Sequence, residues 1–137
     1  MSPRVQNRGS AAVEFGLAFV FFFTMVIALV ELGRGAWAYS SVAHATRQGA
    51  RFAQSRGSLN PATNDQIAGV VKSHAMGLDP NLITVTTTYD PSNNRGNTVQ
   101  VSVAYNFPYL ASSLLFTSAT SGAQVTMRNT SRMIIAN

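Results

Sequence analysis

The chain has 137 residues, no cysteine, 46% apolar and 11% charged residues, and a mean hydropathy of +0.10. That length allows one ordinary core, and the composition excludes an acidic or low-complexity disordered chain, a disulfide scaffold, thiolate metal sites and a cysteine nucleophile. The net charge of +5 is spread thinly from Arg4 to Arg132 with no basic cluster interleaved with aromatics, so nucleic acid is not an expected partner.

The first element is a membrane segment. Phe15 to Val30 are 16 uncharged residues, and extending back to Ala11 gives 20 positions with Glu14 as the sole charge. A bilayer needs about 20 mostly apolar residues, whereas the apolar part of a secretory signal runs about 7 to 15. The alternative is a cleaved signal, with Ala36-Trp37-Ala38 as a small-x-small site and a soluble product starting at Tyr39, but the apolar run is long and Glu31 and Arg34 crowd the cut.

No proline lies between Val30 and Pro61, and Gly33, Gly35 and Gly49 weaken a helix without ending it, so the helix is predicted to continue out of the membrane, over 10–56. Such a helix is roughly 70 Å long. Leu29, Leu32, Ala36, Tyr39, Ala43, Thr46, Ala50 and Ala53 recur at steps of three and four and form the expected packing seam. Ser41, Ala45, Gly49 and Ala53 give a second row of small residues, where another backbone fits closely. Arg4 and Arg8 on one flank balance Arg34 and Arg47 on the other, so charge alone does not orient the span.

Beyond a loop at Gly57 to Asn60, Pro61 or a capping box at Thr63 to Gln66 starts a short helix with Ile67, Val70, Val71, His74 and Ala75 on its apolar side and Gly77 as its stop. Leu82 to Tyr89 reads as a strand. Val99, Val101, Val103, Tyr105 and Phe107 alternate with polar residues in a second strand, joined to the first by the turn-rich Asp90 to Asn97 as an antiparallel hairpin. Pro108 to Gly122 is irregular and carries Leu110, Leu114, Leu115 and Phe116, and Gln124 to Ile135 is a third strand. The expected fold class is α+β: a long N-terminal transmembrane helix, residues 10–56, continuing into a small head, residues 57–137, with a short helix and a roughly three-stranded antiparallel sheet packed on the upper helix. That head would be marginal alone.

Catalytic material is scarce. His44 and His74 are the only histidines, and three acids lie beyond residue 56, so no metal site, no cofactor, no small-molecule substrate and no enzyme activity are expected; each histidine reads as a partly buried polar residue. Asp90 lacks the bidentate acid of a calcium loop, and Asn129-Thr130-Ser131 is a glycosylation pattern that arises by chance.

Three ordered blocks on the long helix carry a resemblance: Arg8-Gly9 followed by Glu14-Phe15, then Val30-Glu31-Leu32-Gly33-Arg34, then Arg47-Gln48-Gly49-Ala50-Arg51. The stretch from Arg8 to Ala53 closely resembles the TadE-like family, pseudopilins of the tight adherence (Tad) branch of type IV pilus machines. Many relatives carry a proline in the first half of the span where this chain has Val20, so no kink is expected there. The resemblance implies a pilin-like architecture and a basic leader, residues 1–9, cut by a prepilin peptidase between Gly9 and Ser10. It also implies an inner-membrane protein with a cytoplasmic N-terminus and a periplasmic head, partnered by the membrane, the peptidase, and other pilins and pseudopilins.

The residues suit that chemistry: Gly9 opens the backbone to a protease, Ser10 suits a helix start, and Arg4 and Arg8 hold the leader among anionic headgroups. An ordinary juxtamembrane turn accounts for Gly9 equally simply. By the resemblance, Glu14 pairs with the amino group freed by cleavage, on its own or a neighbouring subunit, with Phe15 beside it; the simpler account is a carboxylate favoured by the helix N-terminus. Glu31, Gly33, Arg34, Arg47, Gly49 and Arg51 are the remaining motif positions. Two rival readings are a membrane-anchored periplasmic binding domain and a secreted domain released after Ala38.

Overall fold

The computed structural model describes residues 8–56, 60–109 and 124–136. Helix α1 runs unbroken from Arg8 to Ser55, 48 residues, with no interruption at Val20. At 1.5 Å per residue it is roughly 70 Å long. Every residue from Gly9 to Val26 is exposed, and this half is long and apolar enough to cross a membrane. Above it, α1 packs against the short helix α2 (Asn64–His74) and strands β2 (Thr98–Pro108) and β3 (Gln124–Ile134).

The upper part of the predicted packing seam, Thr46, Ala50 and Ala53, is buried, but its lower part is displaced. The α1 residues removed from solvent are Ala38, Val42, Ala45, Thr46, Gly49, Ala50 and Ala53, whereas Leu29, Leu32 and Tyr39 are 58%, 71% and 51% exposed. Two causes account for the difference. Among the described residues, the first α1 side chain that the head fully buries is Ala38, so the close contact starts above Leu29 and Leu32. Where contact begins, α2 and the sheet approach so closely that alanine and glycine set the seam, and the small-residue row of Ala45, Gly49 and Ala53 is the better guide. Gln48, which lies off the predicted seam, is half-buried.

Helix α2 starts at the capping box: the Thr63 hydroxyl accepts from the Gln66 N–H at 3.3 Å, and the Gln66 side chain accepts from the Thr63 N–H at 3.3 Å. Ile67, Val71 and Ala75 face the core and Val70 is half-buried, but His74 is exposed. The helix ends at His74, and Gly77 follows in the left-handed region at φ 73°. A 3-10 turn at Pro80–Leu82, capped by the Asp79 carboxylate, then leads into β1 (Ile83–Asp90).

The sheet is antiparallel in the order β1-β2-β3, with Ile83 opposite Tyr105 and Thr98 opposite Ile134. Strand β2 is its centre, and all five predicted inward residues, Val99, Val101, Val103, Tyr105 and Phe107, are buried. The outer face is tied by polar cross-strand pairs: Ser102 with Thr130, Thr126 donating to Asn106, and Arg132 donating to Gln100 at 2.6 Å. On the inner edge, Tyr89 donates its hydroxyl to the Ala62 carbonyl at 2.9 Å, and Asn64 donates to the Val85 carbonyl at 3.3 Å, fastening β1 to the start of α2. The expected apolar loop with Leu110, Leu114, Leu115 and Phe116, the loop at Gly57 to Leu59, and most of the leader lie outside the described residues.

Candidate functional site

The motif positions fall into three groups along α1, each in a different setting. At the lower end, Gly9, Ser10, Glu14 and Phe15 are all exposed, and a Cβ placed on Gly9 would meet nothing within 4 Å. Ser10 lies within the helix, preceded by Arg8 and Gly9 in the same helical turn. Phe15 is 72% exposed and stacks on Phe19, which stacks on Phe23, with ring centroids 6.3 and 6.0 Å apart. Among the described residues, Glu14 has no hydrogen-bond or ion-pair partner, and the four-residue spacing of the rings makes an apolar stripe on one side of the span. Among the described residues, this end of the helix packs against no other element.

The second group joins span to head. Arg34 and Glu31 pair at 2.7 Å, one turn apart, with the Glu31 side chain only 12% accessible. The guanidinium also lies 5.1 Å from the centroid of the Phe107 ring at the end of β2. A partly exposed ion pair contributes about 0.2–1 kcal/mol and the cation–π contact a similar amount, so Arg34 acts as a latch between helix and sheet rather than as a pillar of stability. Gly33 points to open space. Beside the latch, Ala28, Glu31, Leu32, Gly35, Phe107, Tyr109 and Met127 line an almost wholly apolar cavity of about 650 Å³ where the sheet overhangs the top of the span.

In the third group the residues divide by face. Arg47 and Arg51, one turn apart, are exposed, while Gly49 between them is buried. A Cβ on Gly49 would stand 2.5 Å from Val71 Cγ2, 3.5 Å from Ile67 Cγ2 and 3.7 Å from Val101 Cγ1. Glycine is therefore required there because α2 crosses α1 against its backbone.

Sequence reasoning missed the partners of these residues more than the residues themselves. Phe107 as the seat of Arg34, and Gly77 under Trp37, join distant parts of the chain and leave no local signature. Both histidines, expected to be partly buried, are exposed, and their rings lie 6.3 Å apart across α1 and α2. Among the described residues, no three His, Asp or Glu side chains gather in one place.

All three groups lie on a single helix, in the order and spacing quoted from the sequence. Residues 9–51 match the TadE-like protein family. The TadE-like segment begins at Gly9 and ends at Arg51, so it takes in every quoted motif position except Arg8 and lies wholly within α1. It implies involvement in a Tad pilus system, and its apolar half is a candidate transmembrane helix. The match does not reach α2 or the sheet. No curated protein and no solved structure matches the chain.

Proposed function

We propose that the protein is a non-enzymatic, single-pass pseudopilin of a Tad-type pilus or secretion machine, contributing to pilus assembly or priming by helix packing in and above the inner membrane. The observation that carries this reading is the division of the TadE-like segment into a bare lower half and an upper half built into the head. An anchor alone needs only apolar length. This one also presents Glu14 without a partner among the described residues, close to an exposed Gly9-Ser10 bond. A carboxylate in a span costs up to about 3 kcal/mol at the centre and less near an end, and it is relieved when a neighbour supplies an amino group. In this reading, residues 1–9 are the leader, prepilin peptidase cuts between Gly9 and Ser10 on the cytoplasmic side, the new amino terminus pairs with Glu14 of its own or an adjacent subunit, and residues 57–137 stand in the periplasm. Arg47 and Arg51 are free to meet neighbouring pilins while Gly49 holds the head in place.

The test is the mass and first residue of the protein isolated from its native membrane. Ser10 as the first residue, with Gly9→Leu leaving an uncut precursor, is the expected result. An N-terminus at or near Met1 would favour a plain anchor for a binding domain, and Tyr39 would mean a secreted product; either outcome refutes the pseudopilin reading.

A further inference from the structure

We propose that His44 and His74 form a two-histidine seat for one divalent transition-metal ion, clipping α2 to α1. They are the chain's only two histidines, they come from different helices, and the fold sets their ring centroids 6.3 Å apart with planes tilted by 43°. Two imidazoles that share one ion at about 2.0–2.1 Å have centroids roughly 5 to 6.5 Å apart, so the observed ring spacing matches that of a shared ion once the rings turn their Nε2 atoms toward each other. Both residues are exposed, which gives an ion access from water.

The hydrogen bonds prepare the rings. His74 Nδ1 lies 2.9 Å from the Val70 carbonyl and 3.2 Å from the Ser73 hydroxyl. A carbonyl only accepts, so Nδ1 carries the proton and Nε2 keeps its lone pair; a backbone carbonyl on the far nitrogen is the usual support of a metal-binding imidazole. His44 Nε2 faces the Gln48 side-chain nitrogen at 3.5 Å, a contact that an unprotonated Nε2 accepts. That contact is long and yields readily to an ion.

The backbone beneath is fixed. Ala45 and Ala75, the next residues to the two histidines, are buried, and α1 and α2 meet at the Gly49–Val71 crossing. The separation of the two backbone positions that carry the histidines is therefore set by the fold. Arg47 and Lys72 are exposed on the same two helices, and among the described residues no carboxylate joins the pair, which disfavours hard cations such as calcium or magnesium and selects ions that bind neutral nitrogen, such as Zn²⁺ and Cu²⁺. Two protein ligands leave positions for water, giving an open, exchangeable site. Its effect is to hold the lower end of α2 to the rod.

The experiment uses the untagged full-length chain in detergent, titrated with Cu²⁺ and followed by electron paramagnetic resonance. One Cu²⁺ per chain with two equatorial imidazole nitrogens is expected, and His44→Ala or His74→Ala should each leave one nitrogen and bind at least tenfold more weakly. Saturating Zn²⁺ should raise the melting temperature of the parent and of neither variant, while all three melt together without metal because both side chains are surface groups. Absence of the two-nitrogen signal in the parent overturns the proposal whatever the variants do. So does one ion per two chains, or undiminished binding in either single variant.

Discussion

Gly49→Ala places a methyl where the structure has no room, and the size of the effect follows from the distances. In an ordinary helix interior this change stabilises by about 0.5–1 kcal/mol, because alanine has the better helix propensity. Here the new Cβ would lie 2.5 Å from Val71 Cγ2, against about 3.5–4.0 Å for a comfortable carbon–carbon contact. Val71 is fully buried, its χ1 is stiff because it is β-branched, and Ile67 and Val101 stand at 3.5 and 3.7 Å on either side. The roughly 1 Å shortfall must be met by moving α2 away from α1, an overpacking cost of about 1–3 kcal/mol. The net expectation is a loss of about 1–2 kcal/mol in urea or thermal unfolding of the detergent-solubilised protein. A double-mutant cycle isolates the cause: in a Val71→Ala background the same change should be neutral or stabilising, because the obstructing methyl is gone. If Gly49→Ala stabilises the protein with Val71 intact, the close crossing of α1 and α2 is wrong.

Gly77→Ala combines a left-handed backbone with a Cβ that runs into the Trp37 ring, so it should cost about 1–3 kcal/mol and shift the emission of the chain's single tryptophan, while Gly96→Ala meets open space and should leave that emission unchanged. Burial pushes the Tyr89 hydroxyl above its ordinary value near 10. The unfolded chain therefore loses this proton first, and the stabilisation present below about pH 10 falls away as the pH rises past it. Tyr89→Phe should cost about 0.5–1.5 kcal/mol at neutral pH, by stranding the Ala62 carbonyl, and flatten the alkaline limb of a stability-versus-pH curve. Glu14→Ala should leave insertion and the melting temperature of the head unchanged yet abolish co-purification with other pilins; normal piliation would reduce Glu14 to a local feature of the helix.

The elements that could be read in the sequence are those whose cause is local. Strand β2 shows its inward residues by strict alternation, α2 announces its start through Thr63 and Gln66, and the span is plain from composition. The seam on α1 was harder, since periodicity ranks residues by apolarity and the real contact ranks them by smallness: Leu29 and Leu32 look like core and face outward, while Ala45 and Gly49 carry the approach. At the motif positions, Glu31 and Arg34 sit at pairing distance along one helix, but the third member, Phe107, arrives from the sheet. The histidine pair was invisible for the same reason, because neither ring has a partner within its own stretch of sequence other than a neighbouring amide, hydroxyl or carbonyl.

Because α1 is one helix from Arg8 to Ser55, and the head is packed directly on its upper half, span and head move as a single screw. At 3.6 residues per turn, a segment that slips by one residue through the bilayer rises about 1.5 Å and must turn about 100° to keep the same side facing the same neighbour. The head must turn with it. In the proposed pseudopilin, the compass bearing of the sheet's hydroxyl-rich outer face would thus be set from within the membrane, by whatever groove the lower helix occupies. A change in that groove, far below the head, would swing Arg128 and Arg132 to a different side of the assembly without altering a single contact inside the protein.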